Sequence, residues 1–240
     1  MLLLQRGAMT VCCFLASALG AQALAQSGGA VATVKVDGRD AGAASSAGVL
    51  ADGTLYLAAQ DGRSADGSVP KDFAQEVGQS LRSMQGVLRA TGMDFGNLVW
   101  VNVYVTHATD VAAMNDVYWK TIGMSPPART VLVVGALPHG ANVAINGIAV
   151  KDTASRREVW PVGWRHGPGV DPPAIAAKDV FYLSAQSGAD PVTGKLAADY
   201  AGEVKQALDN VATVLKAANM TMANIVFVNP FLTADSSQGR

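Results

Sequence analysis

Residues 98–106 read LVWVNVYVT and residues 225–233 read IVFVNPFLT, 127 positions apart. At the same offset Ala90-Thr91-Gly92-Met93 lies over Ala217-Ala218-Asn219-Met220, and Asn97 over Asn224. Helical spacing repeats as well. Phe73, Val77, Leu81, Met84 and Leu88 form one apolar stripe, and Tyr200, Val204, Leu208, Val211 and Leu215 form a second with the same steps. Upstream, LYLAAQDG (55–62) matches FYLSAQSG (181–188) at offset 126, one loop residue different. Strand-period and helix-period stretches therefore recur in the same order, so the chain is to be read as one supersecondary unit used twice.

The first unit reads as strands over Val31–Val36 and Leu55–Gln60, the latter after an Asp52-Gly53 turn, and then a helix over 71–91. A strand over Val99–Thr106 follows, then a second helix capped by Asp110 with Val111, Met114, Tyr118 and Ile122 on one face. After Pro126-Pro127 come strands over Thr130–Val134 and Val143–Val150. Such an order implies an α+β fold, an open sheet with two helices on one face. Residues 31–151 make the complete unit, 152–170 a linker rich in Gly and Pro, and 171–240 a partial second unit. At offset 127 Arg240 falls on Ala113, so the second copy is expected to be truncated, as a fragment or frameshift, or else to serve as a prop for the first.

Residues 1–25 read as a secretory signal peptide. Arg6 is their one charge, Val11–Gly20 is a short apolar run, and Ala23-Leu24-Ala25 suits a signal peptidase. Cleavage after Ala25 predicts a periplasmic or secreted protein with no stable membrane insertion. It would also remove Cys12 and Cys13, the only cysteines. The formal net charge of −1 argues against a nucleic-acid partner. His107, His139 and His166 have no companions at ligand spacing, so no metal is expected. GxSxG, HExxH, P-loop and CxxC motifs are absent. Arg156-Arg157 reads as solvated linker, and Trp160 and Trp164 as packing across the boundary between units.

The stretch from Phe73 to Val150 carries VLRATGM, VWVNVYV, NDVY, PPARTVLVVGALP and a closing strand ending in GIAV, in that order. It resembles the reactive intermediate deaminase family, RidA or YjgF, and the second unit resembles the front half of the same family. The resemblance implies a chorismate-mutase-like fold, repeated here with the second copy truncated. It implies a homo-oligomer, typically a trimer with clefts between subunits, and hydrolysis of reactive imines and enamines to a 2-keto acid and ammonia with no cofactor. It makes Arg129 of the P-A-R motif the anchor of a substrate carboxylate, a role suited to a planar fork of fixed charge. It places Asn115 of NDVY and Ala59 at the cleft, Ala59 through its backbone N–H, and Val131 where many members have Cys. Two positions depart from the family. Ala144 stands where a Glu is thought to position water, and Ala43-Ala44-Ser45-Ser46-Ala47 replaces a region that carries a Tyr. The expectation is therefore a RidA-like deaminase of small 2-imino acids. Two alternatives are a non-catalytic binder of small carboxylates and a truncated copy with little activity.

Overall fold

The computed structural model describes residues 2–5, 31–36 and 46–232, so the Ala43–Ala47 reading falls largely outside the described residues. A strand at Leu2–Gln5 (β1) belongs to the second of two sheets. The first sheet is built from Val31–Val34 (β2), Gly48–Ala51 (β3), Thr54–Asp61 (β4), Leu98–Val105 (β5), Ala128–Val133 (β6) and Val143–Val150 (β7). Its order is β2-β3-β4-β7-β5-β6, with every neighbouring pair antiparallel except the parallel β5–β6 at the edge. The second sheet adds Arg157–Val159 (β8), Ala174–Ala177 (β9), Val180–Leu183 (β10) and Ile225–Phe227 (β11), in the order β11-β1-β10-β9-β8.

Three helices follow the expected stripes. Phe73–Ala90 (α1) starts where the Asp72 carboxylate accepts the Gln75 N–H at 2.8 Å. It stops at Gly92, whose φ of 73° is the left-handed conformation that lets the Met93 N–H return to the Leu88 carbonyl. Val77, Leu81, Met84 and Leu88 are fully buried against the sheet. Val111–Ile122 (α2) buries Met114, Tyr118 and Ile122 beside α1. Asp110 makes no side-chain cap: its backbone is already helical, in a 3₁₀ turn begun at His107. Tyr200–Ala217 (α3) is the counterpart of α1, with Asp199 accepting the Gly202 N–H.

The β3–β4 hairpin turns at Asp52-Gly53, both at positive φ. β3 was not expected; at four residues it carries too little alternation to read. Arg157–Val159 pairs with β9 as an edge strand, although the sequence reads it as linker. Arg156 is not solvated either. Its guanidinium donates to the carbonyls of Leu98, Ser125 and Pro126 and so ties the connection to the first unit.

Side-chain alternation decides how the units meet. On the first sheet Val101, Val103, Ile145 and Ala149 face the helices, while Trp100, Ala128, Ile148 and Val150 face the other way. Those four pack against Ile175, Ala177 and Tyr182 of the second sheet. Phe181 and Leu183 point to α3, on Val214 and Leu215. Each half thus has its own core, with a shared apolar layer between them. The repeat is legible strand by strand: β8, β9, β10 and β11 take the places of β2, β3, β4 and β5. β1 takes the slot that β7 fills in the first sheet, antiparallel to both neighbours.

Candidate functional site

Arg129 is the second residue of β6, the edge strand where the first sheet meets the second unit. Its backbone is held by that unit. The Arg129 N–H donates to Ser184 Oγ at 2.8 Å, and the Ala185 N–H donates to the Arg129 carbonyl at 3.1 Å. Ser184 Oγ in turn donates to the Pro172 carbonyl at 2.6 Å. Alternation along β6 sends the Arg129 side chain to the helix face, where α2 receives it. Nη1 donates to Asn115 Oδ1 at 2.8 Å, and the guanidinium lies 4.4 Å from the Tyr118 ring centroid and 5.0 Å from that of Trp119.

The remaining edge of the fork is engaged by the chain's own Asp171. Nη2 donates to Asp171 Oδ2 at 2.9 Å, and Nε lies 2.8 Å from Oδ1, an ion-pair contact rather than an aligned hydrogen bond. The Arg129 side chain is 5% exposed and that of Asp171 28%. Burial pushes the Asp171 carboxyl above the ordinary carboxylate range, and the Arg129 charge offsets part of that rise. Burial also raises the Tyr118 hydroxyl, so it stays neutral beneath the guanidinium.

A cavity of about 310 Å³ opens over this pair, walled by Trp160, Trp164, Arg165, Ser184 and Gln186. Trp164 packs on the second core as it walls the cleft, while Trp160 donates to Glu158 and stacks edge-on against His166. Arg165 is the exposed cation of the cavity wall. Among the described residues no group of His, Cys, Asp and Glu could hold a metal ion. No helix among them is long and apolar enough to cross a membrane.

The structure therefore brings Arg129 and Asn115 together and leaves the other two expected positions apart. Ala59 sits exposed on β4 at the bulge between Leu57 and Gln60, with β7 and β5 between it and β6. Its repeat counterpart Ala185 is the residue that meets Arg129. Val131 packs against the core under the helices. Ala144 is buried on β7, opposite Tyr104 and Asp61, and offers no polar group. Asp171 was missed because GVDPP straddles the boundary between the linker and the second unit and carries no motif of its own. The one available signal was an acid fixed by the Pro172-Pro173 that follows.

The endoribonuclease L-PSP family model matches residues 39–151 and again 171–238. The proteins named 2-iminobutanoate/2-iminopropanoate deaminase of Capra hircus and Bos taurus are each 40% identical over 105 residues, 43% of this chain and 77% of theirs. The crystal structure of RidA from an Antarctic Psychrobacter aligns with 26% identity and a TM-score of 0.47. The alignment covers 50% of this chain and 98% of that one.

Proposed function

This chain belongs to the endoribonuclease L-PSP family, that of the RidA and YjgF proteins, and from that premise we propose that it hydrolyses small reactive 2-imino acids in the cleft between its two units. One observation carries the reading: Arg129 of the complete unit meets the Ser184–Gln186 segment of the partial one, at the wall of a cavity of small-metabolite size. The names of the relatives supply the reaction class. In that reaction the water oxygen bonds to the imine carbon and the C=N pair moves to nitrogen, which takes up a proton. The carbinolamine nitrogen then takes up the hydroxyl proton and leaves with the C–N pair as ammonia, while the O–H pair closes the carbonyl of the 2-keto acid. Such substrates are intrinsically labile, so the contribution asked of the chain is orientation and exclusion. Arg129 would anchor the carboxylate, Asn115 and the two rings of α2 would hold the guanidinium in plane, and Trp160 and Trp164 would bound the side-chain space.

A second reading is favoured by Ala144. A buried methyl cannot polarise water, so acid–base assistance worth about 10²–10⁴ in rate is not supplied from that strand. On this reading the cleft binds small carboxylates without turnover. On either reading we propose an address outside the cytoplasm, from the leader expected at residues 1–25, and a homo-oligomer. The bulge at Ala58–Ala59 supports the latter, since it is the repeat counterpart of Ser184–Ala185 and is exposed.

An imine-hydrolysis assay tests the proposal. An amino-acid oxidase generates the 2-imino acid, semicarbazide traps what remains, and wild type is compared with Arg129→Ala. Faster loss of trapped imine, abolished by the substitution, is expected. No acceleration by folded protein would overturn the enzymatic reading in favour of binding alone.

A further inference from the structure

We propose that Asp171 is a built-in carboxylate ligand of Arg129, so that an outside monocarboxylate reaches the fork only by displacing it. The inference rests on the reading of Arg129 as a carboxylate anchor and adds to it a self-occupied state.

Three observations carry it. First, Arg129 is organised without Asp171. Its backbone is pinned by Ser184 and Ala185, one guanidinium nitrogen by Asn115, and its face by Tyr118 and Trp119. Removing Asp171 would leave a shaped, buried cation with one edge open to the cavity. Second, Asp171 stands where a ligand would stand. It lines the cavity, is more exposed than the arginine it touches, and engages both Nε and Nη2. Among the described residues Arg129 is the sole polar partner of its carboxylate. Third, Asp171 lies outside any helix or strand, between a glycine-rich strap and Pro172. Gly167 and Gly169 of that strap hold positive φ with open space where a Cβ would be, whereas Pro172 and Pro173 are buried and bonded to Ser184, so the side free to yield is the strap that precedes Asp171.

A carboxylate on the same chain competes at high effective concentration, so an outside carboxylate should bind the wild type at least about 100-fold more weakly than the vacated fork. The class admitted is a small monocarboxylate. Its charge replaces that of Asp171 one for one, whereas a second carboxylate would have only Arg165, exposed on the cavity wall, to pair with.

The test is thermal unfolding of the full chain against sodium acetate and sodium propionate, with sodium chloride at matched ionic strength as reference. Asp171→Ala leaves a buried arginine unpaired, so its Tm should fall and then recover saturably with either carboxylate. Wild type should show no saturable response over the same range, and Asp171→Ala combined with Arg129→Ala should lose the recovery. Asp171→Asn, which keeps one oxygen for the fork, should lie between. In the imine assay Asp171→Ala should lower KM about 100-fold with little change in kcat. Equal carboxylate responses in wild type and Asp171→Ala, or failure of both single variants to fold, would overturn the proposal and make Asp171 a structural counter-ion. The two claims fail separately. Carboxylate recovery without imine hydrolysis would retain the self-occupied fork and remove the deaminase. Hydrolysis with KM unchanged in folded Asp171→Ala would do the reverse.

Discussion

Leu81 and Leu208 occupy the same place in the repeat, on α1 and α3, but Leu81 is 0% exposed and Leu208 is 51%. Truncating each to alanine asks how much of the second unit's helix face is covered in solution. At Leu81 the loss has two parts: the transfer free energy of the removed carbons and a cavity closed in by the sheet and α2. Together these should cost about 3–5 kcal/mol. At Leu208 roughly half of the transfer term is forfeited and no enclosed void forms, so about 1 kcal/mol is expected. Equilibrium urea unfolding followed by helix circular dichroism measures both. The Leu81→Ala midpoint should move far below wild type at unchanged m, and the Leu208→Ala midpoint only slightly. Equal costs would refute the reasoning. They would mean that Val204 and Leu208 are buried in solution, and a concentration-dependent midpoint would identify a second copy as the cover.

Glu76 is buried and accepts the Asn142 N–H at 2.6 Å, the Asn142 side-chain amide at 3.0 Å and the Val143 N–H at 3.2 Å. Glu76→Gln turns an amide donor toward these donors and should cost about 2–3 kcal/mol in urea unfolding, whereas Glu203→Gln at the half-exposed repeat position should be near neutral. Acidification should also act on Asp171. Because its folded value is raised from 3.8, the folded chain binds that proton at higher pH than the unfolded one. Its contribution to stability therefore grows as pH falls through that window and is lost as pH rises through the folded value. Protonation also frees Arg129, so wild-type affinity for 2-oxobutanoate, measured by calorimetry, should rise on acidification while Asp171→Asn stays flat. Finally, the fate of residues 1–25 decides whether β1 is present in the mature protein. Deleting them should speed amide hydrogen exchange in Val180–Leu183 and Ile225–Phe227, which flank the β1 slot, and leave β4 and β5 unchanged.

Much of this architecture was readable before any coordinates. The α1 stripe predicted its buried face because its spacing is regular over five positions, whereas the equally regular α3 stripe is buried only at Val211 and Leu215 and exposed at Tyr200, Val204 and Leu208. The offset between LVWVNVYV and IVFVNPFL predicted the correspondence of β5 with β11. Short or irregular elements escaped: β3 and β8 are four and three residues long, and β1 lies inside a stretch whose composition reads as a leader. At the site, Arg129 and Asn115 were legible because both come from one unit and from recognisable motifs. The contributions of Ala185 and Asp171 were not, because they depend on how the second unit docks against the β6 edge. Periodicity reports which face of an element is apolar and says nothing about which loop of a neighbouring unit reaches an edge strand. Treating each unit alone places Ala59 at the cleft; within this chain it is the repeat partner Ala185 that meets Arg129, through its N–H to the arginine carbonyl.

The most direct test of a cleft shared between the units is a tryptophan-fluorescence titration of the full chain with 2-oxobutanoate, the keto acid corresponding to 2-iminobutanoate. Trp160 and Trp164 wall the cavity, so a saturable change is predicted, at about 100-fold the concentration that saturates Asp171→Ala, absent in Arg129→Ala and reduced in the Trp160→Phe/Trp164→Phe double variant, where Trp119 beside Arg129 still reports. Saturable binding that survives Arg129→Ala would contradict the account and place the ligand elsewhere on the molecule.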